Sequence, residues 1–314
     1  MSSSRVLVAS RLFGKAMPDL FERLKAAGAE IVPNPLDHTP TEADMITLIK
    51  DIDVLICGTE PVSKRVLAAA NKLKGIAVYG VADTAIDLAA AKAKKIPVAS
   101  AGDVMTDSVA DMTMGLLLAL ARKIPAGDRA VKTGRWPRAV GVALTGKTLG
   151  VVGLGTIGKA LCRRAKGFEM NLIACDTVQD EAFAKQWGVQ FVELEALIKT
   201  ADFISLHAAG GKATRKLMSS ERLALMKPSA YLINTARGDM VDEGALYVAL
   251  KRNQLAGAAL DVFEEEPPGM NPLFELDNFI AAPHSAGQTK ESQRAMGEMT
   301  CEHVLKMLRG EFKN

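Results

Sequence analysis

The sequence predicts an α/β protein of two parallel-sheet domains, one inserted into the other. Three observations predict it. A glycine-rich turn, Gly153-Leu154-Gly155-Thr156-Ile157-Gly158, lies between two apolar strand-like runs. The first hundred residues alternate short apolar runs with helix-like segments. The end of the chain, 290–308, reads as one helix that packs back on the first domain.

The elements follow in order. Apolar runs at 6–9, 31–32, 54–57, 76–79 and 98–99 are short and bounded like buried parallel strands. Between them, 17–27, 42–49, 62–70 and 85–94 carry helical patterns. This alternation makes a small parallel α/β unit by itself. A long helix starts near Thr106 or Ser108 and runs through Leu120, followed by a polar, glycine-containing stretch over 127–146 that includes Trp136. Strands resume at 149–152 and 171–175, and βαβ repeats continue through 203–206, 231–234, 258–262 and 279–282. The expected division is 1–102 with 286–314 for one domain and 103–285 for the inserted one.

The glycine turn carries chemistry. Gly153 allows a tight turn, Gly155 lets backbone approach a pyrophosphate, and Gly158 lets helix pack on strand. A helix-like run follows over 159–168, and its N-terminal end, with Thr156 and Ile157 in the turn before it, offers unpaired amides and the positive end of the helix dipole to the phosphates. The second strand ends on Asp176, 18 residues past Gly158. A carboxylate there accepts the ribose hydroxyl protons and repels a 2′-phosphate, and Thr177-Val178-Gln179 offer no cation to hold one. The reading is a Rossmann-type domain that binds NAD.

Composition narrows the rest. A chain of 314 residues, 48% hydrophobic and 24% charged, has room for two cores, and a net charge of +3 gives no argument for a nucleic-acid partner. Cys57, Cys162, Cys175 and Cys301 show no metal-ligand spacing; Cys57 and Cys175 end strands and read as small buried residues. No apolar stretch reaches membrane-spanning length, and the N-terminus has no signal-peptide pattern. The expected location is the cytoplasm, with no metal and no membrane.

Hydride exchange with a carbinol needs a proton carrier, and with an acid substrate it needs a cation. The chain has four histidines. His38 sits in a loop and His303 inside the last helix, where a turn and packing explain them. His207 and His284 each follow a strand, at the carboxyl ends where α/β sites gather. Arg237 follows another strand, beside Gly238, and the run Glu264-Glu265-Glu266 follows Asp261 after a further one.

Taken together, Arg237, Glu266 and His284 resemble the catalytic set of the D-isomer-specific 2-hydroxyacid dehydrogenases. The resemblance covers nearly the whole chain: the 153–158 turn, Val109-Ala110-Asp111, Asn234-Thr235-Ala236-Arg237-Gly238, Leu260-Asp261-Val262-Phe263, Glu266-Pro267 and Pro283-His284. It implies a flavodoxin-like substrate domain around the NAD domain, and a homodimer built on 108–122 and 127–146. It also implies roles. Arg237 would hold the substrate carboxylate and polarise the 2-oxo group; His284 would carry the proton; Glu266 would fix the imidazole tautomer. Asp261 would hold the nicotinamide amide, and His207, Thr235 and Ala236 would line the cofactor channel, with His284 at its end. Backbone amides of Gly80, Val81 and Ala82 would meet the substrate carboxylate, and closure of the two domains would expel water. The formate dehydrogenase branch has Gln in place of Glu266, so Glu points to a hydroxy acid.

The chain departs from the family pattern at three places. Ala82 stands where a glycine is usual, Ala208-Ala209-Gly210-Gly211 replaces a proline-containing stretch, and Asp111 replaces the commoner Glu. Overall the chain most resembles the 3-phosphoglycerate dehydrogenase branch, yet Cys57 and Val78 align with positions where that branch has phosphate-gripping arginines. A phosphorylated substrate and a smaller 2-oxo acid such as hydroxypyruvate or glyoxylate both stay open. With its end at Asn314, the serine-sensing domain of some members is not expected. Rival readings are an NAD-sensing corepressor-like protein, and phosphite oxidation by the same Arg and His.

Overall fold

The computed structural model describes residues 3–14, 17–80 and 85–312. The chain forms two compact units, Met1–Met105 with Thr289–Asn314, and Thr106–Gln288. The division falls three residues later at each crossing than the expected 102/103 and 285/286. Val104 and Met105 pack into the first unit's core, which carries that unit's edge past 102.

In the first unit the order is β1 (Ser4–Val8), α1 (Pro18–Ala26), β2 (Ala29–Pro33), α2 (Glu42–Leu48), β3 (Val54–Cys57), α3 (Lys64–Ala69), β4 (Gly75–Val78), α4 (Leu88–Ala93) and β5 (Val98–Ser100). The sheet is parallel, in the order β2-β1-β3-β4-β5. That is the flavodoxin-type order, which reverses between β1 and β3. Helix starts are set by side chains that accept from backbone N–H: Thr41 with Asp44 in a capping box, Ser63 for α3 and Asp87 for α4. Period-two alternation sorts the strands onto two faces. Val6, Val8, Val54 and Ile56 face one core, with Leu20 and Leu24 of α1; Leu7, Leu55 and Cys57 face the other, with Met45, Val66 and Leu67.

The second unit runs α5 (Thr106–Ala121), α6 (Ile124–Lys132), β6 (Thr148–Val152), α7 (Thr156–Lys166), β7 (Asn171–Cys175), α8 (Glu181–Trp187), β8 (Val189–Phe191) and α9 (Leu194–Thr200). It continues with β9 (Phe203–Leu206), α10 (Ser220–Leu223), β10 (Tyr231–Asn234), α11 (Glu243–Lys251), β11 (Gly257–Leu260) and β12 (Phe279–Ala281). The last helix, α12 (Lys290–Leu308), starts on its Thr289 cap and belongs to the first unit, where Met296, Cys301, Val304 and Met307 complete one core face.

The second sheet is a parallel seven-stranded one, β12-β11-β10-β9-β6-β7-β8, reversing between β6 and β9. β9, β10 and β11 are buried along their whole length, as strands covered on both faces must be. The stretch 127–146 is not wholly irregular: α6 occupies its first part, started by a proline in the first turn and tolerating Gly127. The helix after the glycine turn begins at Thr156, earlier than the expected 159, with Gly158 inside it. Cys57 is buried, but Cys175, at the end of β7, is only half-buried; all four cysteines are free thiols.

Candidate active site

The carboxyl edge of the second sheet gathers the polar residues singled out from the sequence. At its reversal point β6 ends on Val152, and Gly153 takes φ +94°, a left-handed conformation that favours glycine. A Cβ there would collide with the Ala208 amide; one on Gly158 would collide with the carbonyl of Gly153. A Cβ on Gly155 would meet nothing within 4 Å, so the turn's outer side is open to a ligand. The α7 amides at Thr156 and Ile157 have no acceptor earlier in the helix and face that opening.

Asp176 follows β7 and is held beside the turn. Its Oδ2 accepts the Leu154 amide at 2.5 Å and its Oδ1 accepts the Val178 amide at 2.9 Å. The carboxylate therefore stands next to the open glycine turn with lone pairs left for further donors. An adenosine ribose and pyrophosphate fit this donor and acceptor set.

β9 delivers His207, whose amide bonds the Val152 carbonyl at 2.7 Å. Nε2 lies 2.8 Å from the fully buried Ser205 Oγ, and Nδ1 is buried without a partner. Burial pushes the imidazole down to about 4, so it is neutral at physiological pH.

β10 ends on Asn234, which brackets the Arg237 loop. Its side chain accepts the Ala236 amide at 3.0 Å and donates to the Arg237 carbonyl at 2.8 Å. Thr235 Oγ1 meets Thr113 Oγ1 of α5 at 2.9 Å, and Arg237 Nη1 donates to the Ala236 carbonyl at 2.7 Å. Gly238 lies so close to Phe263 that a Cβ would overlap its carbonyl, so the two loops abut.

His284 sits after β12 at φ +50°. The Asp261 residue, 1% exposed, accounts for that backbone conformation. Its carbonyl accepts the His284 amide, and its two carboxylate oxygens accept the Ser285 and Ala286 amides, each bond 2.8 Å. Glu266 Oε2 lies 2.6 Å from His284 Nδ1, while its Oε1 accepts the Phe263 amide at 3.0 Å. A cleft of about 380 Å3 borders the pair, with Phe263, Phe274, Pro267 and Pro283 among its walls. The neighbouring Glu264 and Glu265 are exposed, as a solvated acidic loop would be.

The second unit thus carries the glycine turn, Asp176, His207, the 235–238 loop, Asp261 and the Glu266–His284 pair together. Gly80 belongs to the first unit, at φ +136°, its carbonyl accepting Ser100 Oγ at 2.7 Å and the Ala101 amide at 3.0 Å. Val81 and Ala82 lie outside the described residues. His38 is exposed and bonds the Thr39 carbonyl; His303 packs edge-on against Phe312. Asn234, Thr113 and Ser205 were missed as supporting residues. A polar residue ending or filling a wholly buried strand was the available signal for Asn234 and Ser205. No group of three or more His, Cys, Asp or Glu suited to a metal occurs among the described residues.

Residues 114–286 match the family model described as "D-isomer specific 2-hydroxyacid dehydrogenase, NAD binding domain". The chain belongs to the D-isomer-specific 2-hydroxyacid dehydrogenase family. A D-3-phosphoglycerate dehydrogenase of Methanocaldococcus jannaschii is 46% identical over 87% of this chain, which spans about half, 53%, of that longer protein. A glyoxylate reductase of Korarchaeum cryptofilum is 41% identical over 87% of this chain and 85% of its own length. Among solved structures, a D-lactate dehydrogenase from Aquifex aeolicus complexed with NAD and lactic acid superposes with a TM-score of 0.87. It is 29% identical and covers 98% of this chain and 96% of its own. The family and the architecture of two parallel-sheet domains are as the sequence motifs indicated, and 114–286 is the family's NAD-binding domain.

Proposed function

We propose that this chain catalyses reversible hydride transfer between NAD and a D-2-hydroxy acid, 3-phosphoglycerate dehydrogenase-like or hydroxypyruvate/glyoxylate reductase-like. The observation that carries it is the 2.6 Å pair of Glu266 and His284 on the unit that bears the dinucleotide turn. NAD, when bound, supplies or receives the hydride at its nicotinamide. The amides of 153–158 hold the pyrophosphate and Asp176 the ribose. His207, Thr235, Ala236 and His284 line the nicotinamide end, and Asp261, through a lone pair beyond its two backbone bonds, takes the carboxamide.

The protein's own part is acid–base and positional. Glu266 occupies Nδ1 of His284, so proton exchange with the substrate oxygen falls to Nε2: given in reduction, taken in oxidation. Phe263 N–H pins the other Glu266 oxygen, which keeps the pair in register. Arg237 holds the substrate carboxylate with its planar fork and draws charge onto the 2-oxo oxygen.

A homodimer fits the arm after α6, where Trp136 is 76% and Val140 85% exposed. A cytoplasmic enzyme fits the free thiols, and no helix among the described residues is long and apolar enough to cross a membrane. The test is NADH oxidation against 3-phosphohydroxypyruvate, hydroxypyruvate, glyoxylate and pyruvate. Turnover of at least one of them is expected. NADH bound without turnover of any would overturn the reading in favour of a sensor, or, where phosphite reduces NAD, of phosphite oxidation.

A further inference from the structure

The loop between β11 and β12 carries Glu266, yet burial does little to hold it. From Glu264 to Met270 every residue but Pro268 is exposed. A segment with so little apolar contact keeps one shape only where hydrogen bonds fix it.

Those bonds come from α11. Glu243, the first residue of that helix, is half-buried. Its Oε1 accepts the Glu264 amide at 2.6 Å, and its Oε2 accepts Asn271 Nδ2 at 2.5 Å. One carboxylate thus clasps both ends of the stretch that carries Glu266. The helix does not need Glu243 as its cap, because Asp242 Oδ1 already accepts the Ala245 amide at 3.0 Å. Nor can a side-chain flip replace either bond. Asn271 Oδ1 is taken by the Leu273 amide at 3.0 Å, at the start of the helical turn Pro272–Glu275, which leaves Nδ2 for Glu243. The other partner is a backbone N–H. Two donors face this side chain, so the position needs two acceptor oxygens, and a glutamine has one.

Inside the clasp, Glu266 turns back on the loop's start, accepting the Phe263 amide on Oε1 while Oε2 meets His284 Nδ1. Consecutive amides, of Phe263 and Glu264, are therefore held by Glu266 and Glu243 in turn. We propose that Glu243 is the positioning residue of the Glu266–His284 pair. By tying the Glu264 amide to Asn271 it keeps Glu266 within hydrogen-bond reach of Nδ1, and so keeps His284 in the orientation that proton transfer needs. Glu243 acts only through that pair. The inference rests on the hydride-transfer reading above.

The experiment measures kcat with NADH and whichever of the four 2-oxo acids named above is turned over fastest. Each value is taken per NADH-binding site, counted by fluorescence titration, so that only folded molecules enter. Glu243→Gln sets a donor against a donor, and Asn271→Asp sets a carboxylate against a carboxylate. Each is expected to lower kcat about tenfold or more, with NADH affinity kept and KM changed less. In the double variant the glutamine oxygen accepts the Glu264 amide and its NH2 donates to the introduced carboxylate, which still accepts the Leu273 amide. Its kcat should recover above that of either single variant.

Losses that simply multiply in the double variant would overturn the inference, since uncoupled sites are additive in free energy. So would a Glu243→Gln protein that loses NADH sites or thermal stability but keeps its kcat per site, the mark of a merely structural clasp. Should Glu243→Gln not fold, Asn271→Ser decides: it keeps an oxygen for the Leu273 amide and gives up the bond to Glu243. A fall in kcat per site of about threefold or more is expected there, and an unchanged value overturns the inference. A wild type that binds NADH but turns over none of the acids overturns the hydride-transfer reading itself, and the inference with it.

Discussion

The two sheets are built alike and finished differently. Both are parallel, buried on both faces, and reversed once in strand order. At the carboxyl edge of the second sheet, polar side chains bracket backbone: Asp176 holds Leu154 and Val178, Asn234 holds the Arg237 loop, and Asp261 holds 284–286. These brackets fix the loops that carry Arg237 and His284. At the first sheet's edge the polar set is Ser10, Glu60 and the Gly80 carbonyl with Ser100, a carboxylate and neutral groups. One layout therefore serves two ends. The architecture fixes where a ligand is met, and the residues set on the strand ends decide what is done there.

The hardest test of that contrast is His284→Ala. It should lower kcat by about a hundred- to ten-thousand-fold, the usual worth of a positioned acid–base group, with NADH binding by fluorescence retained. A fully active variant would place the proton carrier elsewhere and remove the distinction between the two edges.

A second test sharpens it through His207, which follows β9 and bonds β6 at the start of the glycine turn. Its imidazole titrates near 4 in the folded protein, against about 6.5 unfolded. Between those values the unfolded chain binds the extra proton, so this contribution is complete above about pH 6.5 and is lost as pH falls toward 4. The loss amounts to at most about 3 kcal/mol. His207→Gln should flatten the fall in thermal midpoint over that window relative to the wild type. Parallel curves would mean the histidine is solvated.

What the sequence made legible was local. The glycine turn, Asp176, Arg237, Glu266 and His284 each lie in a short pattern at a strand end, and strand ends follow from apolar runs. The supports were not legible, because they join residues far apart: Thr113 to Thr235 across 122 positions, Asp261 to Ala286 across 25. No periodicity encodes such a pairing. The helix α6 was hidden for another reason. Gly127 and the charged residues Asp128 and Arg129 read as loop, and only the proline-started first turn marks a helix there. Cys175 read as buried because a strand ends on it, as Cys57 does, yet only Cys57 is buried and Cys175 is half-buried. Glu60 read as nothing, since burial of a single acid after a strand cannot be told from sequence.

The smallest effect expected concerns Asp176, the acid that follows β7 in the second unit. Asp176 is committed on both oxygens to backbone amides, and its position beside the open turn gives the ribose hydroxyls a charged acceptor. Asp176→Ala removes that acceptor and the charge that repels a 2′-phosphate, so NADH should bind about tenfold more weakly while NADPH loses less. The narrowing of the gap, measured as two dissociation constants, is the informative quantity. A uniform loss for both cofactors would mean that the carboxylate acts only by holding the Leu154 amide and the shape of the turn. In that case the acid after β7 is structural, and the two edges differ in their histidine and arginine alone.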